Sequence, residues 1–230
     1  MHLELERVHL QSLKDFAKHY LMIVLSILTA LGMEASIERS HHRSAASDAS
    51  ARIQAEIRAN LAEIQKERSH DFARWQELGK IRDALVSDIK AHASDAAINE
   101  HFRAMTKDGF YLAFRWPVLR HEAWDVAVAN QSAGWMDDDE LRRYTAVYAA
   151  QNSTSATMTE DLPTVLNGPR MMDALADLQV GDVQPRELLY VVNQMATVAG
   201  EATGDLDSLI ARINASMSGS IATPTKASQG

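Results

Sequence analysis

Between Tyr20 and Met33 the chain reads YLMIVLSILTALGM, without a charge, and its only polar groups are Ser26, Thr29 and the Tyr20 hydroxyl. Nowhere else does it stay apolar for so long. At 1.5 Å per residue this core covers roughly 21 Å, short of a hydrocarbon layer of about 30 Å. Phe16 and Ala17 upstream and Ala35 to Ile37 downstream bring it to spanning length. Lys18 can snorkel to the headgroups, and His19 and Tyr20 suit the interface. Glu34 must sit at the far interface, because a carboxylate at mid-bilayer is costly. The pattern predicts a transmembrane anchor over 16–37. Two alternatives compete, a cleaved signal peptide with Ala30-Leu31-Gly32 at the cleavage site and a buried core helix. The helical pattern continues through Glu34 without a Pro or Gly cluster, which favours an uncleaved anchor.

On either side the hydrophobic positions recur at helical spacing. Residues 1–15 carry Leu3, Leu5, Val8, Leu10 and Leu13 among charges, an amphipathic lead-in at the membrane surface. Downstream, 38–217 reads as a helical stalk and bundle domain. Ile53, Ile57, Leu61 and Ile64 form one stripe. Ser69 or Asp71 would cap a second helix, with Phe72, Trp75, Leu78, Arg82, Leu85, Val86 and Ile89 on its face, folding back on the first as a hairpin. A short helix starts near Asp95, with Ile98, Phe102 and Met105 inward, and stops at Gly109. Phe110–Pro117, FYLAFRWP, reads as an extended connection, since Pro117 biases Trp116 away from helix. A fourth helix spans Leu119 to Gln131, with Trp124 as a core anchor in a stripe with Ala123, Val126, Ala127 and Val128. A fifth opens at Asp137 and continues through Leu141, Tyr144, Val147, Tyr148 and Gln151 toward Glu160. Pro163, Gly168 and Pro169 interrupt it, and a short helix covers Arg170 to Leu178. The last runs from Gln184 to about Met217, with Asp182 as N-cap, Pro185 in its first turn, and Gly200 and Gly204 as possible kinks. Residues 218–230 read as a disordered tail. The fold class is therefore all-α: a transmembrane helix continuing into a stalk, then an irregular antiparallel helical bundle.

Charge and composition narrow the function classes. Lys+Arg is 23 against Asp+Glu 31, a net charge of −8, which argues against nucleic acid as a partner because phosphates need a basic face. There is no cysteine, so disulfides, iron–sulfur clusters and thiol catalysis are excluded. A zinc site would have to use His and carboxylates.

Four clusters carry possible chemistry. His41-His42 could ligate a metal, but adjacent helical residues point about 100° apart and no third ligand is spaced for a site. Asp137-Asp138-Asp139-Glu140 could hold a cation, although a capping box with Asp137 at N-cap and Glu140 at N3 explains the same residues. His70-Asp71 and His121-Glu122 are adjacent pairs that form no triad by themselves. HEAWD at 121–125 is not a zinc-protease signature, since Asp125 stands where the second His is required. The reading commits to no catalytic, cofactor or metal residue.

Glu56-Ile57-Arg58-Ala59-Asn60-Leu61, Ala123-Trp124-Asp125-Val126-Ala127, and the pair Tyr144 and Tyr148 resemble the motifs of a family of uncharacterised bacterial single-pass membrane proteins. The resemblance covers most of the first 150 residues and implies architecture, an N-terminal span and an all-helical domain, with no catalytic residue. It places the chain in a bacterial inner membrane. Lys and Arg are balanced across the span, with Arg7, Lys14 and Lys18 before it and Arg39, Arg43 and Arg52 after it, so the positive-inside rule does not choose an orientation. A short N-terminal tail favours the periplasmic side for the domain. The expected function is a membrane-anchored helical interaction or structural module, with the lipid bilayer as partner through Phe16–Ile37 and a protein partner or self-association through the helices. The alternative is a membrane-tethered small-molecule sensor with an aromatic pocket at Phe110–Trp116. An enzyme is the least favoured class.

Overall fold

The computed structural model describes residues 13–107, 110, 115–166, 169–180 and 183–218. Among the described residues six α-helices follow one another: α1 Leu13–Lys90, α2 Asp95–Met105, α3 Glu122–Ala129, α4 Asp138–Leu166, α5 Pro169–Val180 and α6 Pro185–Met217. A 3-10 turn, Ser132–Trp135, joins α3 to α4. Among the described residues there is no strand, and the protein is all-α. Residues 1–12 of the lead-in predicted over 1–15, with Gly109, Gly168, Asp182 and the tail after Ser218, lie outside the described residues.

Helix α1 corrects the predicted hairpin. Its 78 residues form one rod, about 117 Å long at 1.5 Å per residue. Both expected caps are used otherwise. The Ser69 hydroxyl donates back to the Gln65 carbonyl at 2.7 Å, and the Asp71 carboxylate accepts from the Arg115 N–H at 3.2 Å. With neither Gly nor Pro between Gly32 and Gly79, nothing stops the backbone. The rod ends after Lys90 in a Schellman closure: Ala93 N–H reaches the Asp88 carbonyl and His92 N–H the Ile89 carbonyl, both at 3.1 Å, with His92 left-handed at φ 56°.

The lower part of α1 stands free. It holds a segment long and apolar enough to cross a membrane, with mean hydropathy 1.8 and no residue of that window buried. The Ser26 and Thr29 hydroxyls donate to the Met22 and Leu25 carbonyls, each at 2.8 Å, so neither is left unpaired on an apolar surface.

Above His42 the same helix is packed. Its buried positions are Ala46, Ala49, Ser50, Ile53, Glu56, Ile57, Asn60, Ile64, Glu67, Asp71, Leu78, Ile81 and Leu85, most of them in a three-four alternation of heptad type. The expected face at Phe72, Trp75, Arg82 and Val86 is half-buried or exposed; the buried seam lies one residue to its side. Helix α6 repeats the alternation at Leu188, Val192, Met195, Ala199, Ala202, Leu206, Leu209 and Ile213 and runs antiparallel to α1. Leu85 shares a core cluster with Leu188, Leu78 with Met195, and Ile53 with Leu209 and Ile213. Arg68 clasps Asp207 through two hydrogen bonds of 2.8 Å. Helix α6 is continuous through Gly200 and Gly204, so neither interrupts it. Gly200 instead makes room for Trp75: a Cβ there would lie 3.1 Å from the indole nitrogen. Gln184, not Asp182, is the N-cap, with Pro185 in the first turn.

Helix α4 continues past Glu160 and through Pro163 to Leu166. It runs parallel to α1, since Tyr144, Tyr148 and Gln151 meet Ser50, Glu56 and Asn60 in the same order. Helix α2 starts where expected, with the Ser94 hydroxyl accepting from the Ala97 N–H at 3.3 Å and Ile98 and Phe102 buried.

Candidate functional site

The polar residues on the buried seam of α1 form a ladder that holds α3, α4 and the connection before α3. At the bottom, Ser50 shares a hydrogen bond of 2.8 Å with the Tyr144 hydroxyl and donates to Glu140, while Gln54 donates to Tyr144 at 2.9 Å. Next, the Tyr148 hydroxyl donates to Glu56 at 2.5 Å, and the other Glu56 oxygen accepts from the Ala123 N–H at 2.9 Å. One turn further, Asn60 grips the Arg120 backbone from both sides, donating to its carbonyl and accepting from its N–H at 2.9 Å each. It also donates to Gln151 at 3.3 Å. At the top, Asp71 accepts from the Arg115 N–H and pairs with His70 at 3.0 Å.

The three groups of residues that carried the family resemblance therefore meet in space. Glu56 joins the backbone of the Ala123-Trp124 motif to Tyr148, and Asn60 fixes the chain that leads into it. Trp124 stacks on Tyr148, ring centroids 5.2 Å apart and planes 25° from parallel.

Burial sets the electrostatics. It pushes the Tyr148 phenol far above its ordinary range, with the neighbouring Glu56 carboxylate adding to the effect. Tyr144 is raised for the same first reason. Both stay protonated and act as fixed donors. Burial also raises Asp71, against the opposing hydrogen bonds from His70 and Arg115. Glu67 goes the other way, because Lys66 donates to it. A carboxylate on a short charge-assisted hydrogen bond to a phenol and a backbone amide is strongly held, so the ladder is built to clamp.

The candidate clusters fare differently. His42 lies flat on Trp135, centroids 4.0 Å apart, while His41 is exposed, so the pair diverges. Asp137 caps α4, accepting from the Asp139 N–H at 3.4 Å. Glu140 does not complete the capping box, because it reaches across to Ser50 and Tyr144. His70 and Asp71 are hydrogen-bonded to each other, but the second contact of Asp71 is a backbone amide. His121 touches Tyr148 edge-on at 4.7 Å and pairs with the exposed Asp125 at 3.1 Å, so it stands half-buried, with no nucleophile beside it among the described residues. Glu122 is held below its usual range, chiefly by its own N–H and that of His121. Among the described residues no group of three His, Asp or Glu converges as a metal site.

Helix α3 is shorter than predicted, and its stripe is corrected. Ala127 is buried, but Val126 and Val128 are 51% and 53% exposed. Trp124 is only partly buried, at the margin of the core. At Phe110–Trp116 the described ends pack on the core, Phe110 edge-on to Phe102 at 5.1 Å and Trp116 against the α1–α4 cluster; 111–114 lie outside the described residues. A half-open cleft of about 430 Å³ lies elsewhere, between α1 and α3, with Ala49 and Ala127 in its wall and Asp48, Arg52 and Glu122 around it.

Sequence reasoning missed Ser50, Gln54, Glu67 and the Asn60–Arg120 clamp. For Ser50, Asn60 and Glu67 the signal was the heptad spacing running through polar residues as well as apolar ones; Gln54, beside that seam, and the Arg120 backbone carried none. Comparison with protein-family models, curated proteins and solved structures finds no match to this chain.

Proposed function

We propose that this chain is a membrane-anchored helical interaction or structural module, a single-pass protein of the bacterial inner membrane with its domain on the periplasmic side. The observation that carries this reading is α1 itself. One unbroken helix contains both the free apolar segment and the packed seam, so the domain is rigidly coupled to its anchor. The lipid bilayer takes Phe16–Ile37, and the helical surface meets a protein partner or a second copy. Full-length protein should stay with membranes through carbonate extraction, and Leu25→Arg should release it, since a central cation costs about 2.5–3.5 kcal/mol on insertion scales. Protease added to spheroplasts should digest the domain. Extraction of the wild type by carbonate, or protection of the domain, contradicts the reading.

A second reading, a small-molecule sensor, rests on the cleft between α1 and α3 rather than on the Phe110–Trp116 segment. It predicts a ligand that raises the melting temperature of the wild type and loses its effect in Ala49→Trp, which fills the cleft.

A further inference from the structure

After Ala35, His42 is the first half-buried residue of α1. It lies five residues beyond Ile37, about 7.5 Å along the helix axis. Helical side chains lean toward the N-terminus, so the His42 ring, and the Trp135 indole stacked on it at 4.0 Å, lie back toward the membrane end of the rod. The headgroup layer on each face of a bilayer is about 5–7.5 Å deep. Trp135 is therefore at headgroup height, and it is 39% exposed. Trp75 is as exposed, at 40%, but stands roughly 57 Å beyond Ile37. Trp116 and Trp124 pack on the core. Arg39 and Arg43 on α1 are balanced by Asp137, Asp138 and Asp139 just after Trp135, so net charge does not select an anionic surface. An indole, apolar in body with one N–H donor, is suited to that layer.

We propose that Trp135, backed by His42, is a second membrane contact: a foot in the headgroup layer of zwitterionic lipid that sets how the domain stands on its anchor. The proposal rests on the anchor reading above, and the test separates the two. Full-length protein is reconstituted in phosphatidylcholine vesicles brominated high on the acyl chain. Tryptophan fluorescence should be quenched, the quenched component should disappear in Trp135→Phe, and it should persist in Trp75→Phe. Inserting seven residues between Glu38 and Arg39 keeps the helical phase and lifts the domain by about 10 Å. That variant should lose the quenching and keep the wild-type melting temperature, whatever Trp135→Phe does to folding. Vesicle-bound wild type that is quenched no more than Trp135→Phe, or an insertion variant quenched as strongly as wild type, overturns the foot and leaves the anchor standing. Protein that does not float with the vesicles overturns both.

Discussion

Helix α1 holds two regions of opposite character on one backbone. From Phe16 to Ile37 large apolar side chains project on every side, with Leu21, Leu25 and Leu28 60–67% exposed. From Ala46 to Leu85 the buried apolar residues keep to a seam, which is interrupted by Ser50, Glu56, Asn60, Glu67 and Asp71. Helicity is the same in both; the difference lies in what each surface requires as surroundings. An apolar cylinder suits lipid, where no stripe is needed. A seam with polar rungs suits protein elements that supply hydrogen-bond partners, as α3, α4 and the connection before α3 do for Ser50, Glu56, Asn60 and Asp71. In the upper region, hydrogen bonds choose which segments dock, and apolar burial supplies most of the stabilisation.

Equal truncations in the two regions should have unequal effects. Ile57→Ala, at a fully buried position, should lower the stability of the domain by about 3 kcal/mol, a melting drop of roughly 6–12 °C. Leu25→Ala should leave the melt in detergent unchanged. If both lower it equally, the lower segment is packed in the folded protein and the division within α1 fails.

Tyr148→Phe tests the rungs. It removes the donor to a Glu56 oxygen while keeping the ring against Trp124, and should cost about 1–3 kcal/mol, because a buried carboxylate loses its partner. Glu56→Gln combined with Tyr148→Phe should cost less than the two single changes summed. Strict additivity in denaturant titrations would mean that the rung carries no coupling.

Asp71→Asn is expected to have the smallest effect of these changes and to reveal the sign of a buried carboxyl. Burial raises the folded pKa of Asp71 above its unfolded value. Between those two values the folded state binds the extra proton, so its contribution is fully present below the unfolded pKa and is lost as pH rises through the folded one. Near pH 3 the variant and wild type should melt alike. As pH rises through the carboxylate range, the wild type should fall behind Asp71→Asn. A wild type that gains on the variant instead would show the ionised form to be the stabilised one.

Much of this was legible in the sequence. The long apolar helix through Tyr20–Met33, the stripe at Ile53, Ile57 and Ile64, the cap at Asp137 and the start of α2 depend on spacing and on chemistry within a few residues. They were read correctly because nothing distant opposes them. Helix ends were less legible. Ser69 and Asp71 look like caps, and Pro163, Gly200 and Gly204 like breaks, yet α1, α4 and α6 run through them. Trp124 reads as a core anchor; it does stack on Tyr148 of α4, but it is only partly buried, at the margin of the core.

Helicity, the apolar segment and the heptad register are properties of the chain alone, since they arise from backbone propensity and from which side of a helix each residue occupies. The tertiary structure decided what the polar residues in that register would do. Asp71 becomes a rung and not a cap because the Arg115 amide arrives from 44 residues away. Glu56 and Asn60 become clamps because Tyr148, Ala123 and Arg120 are brought to them. A carboxylate or amide side chain can satisfy a local or a distant partner equally well, so only the packing that delivers the distant one makes the choice.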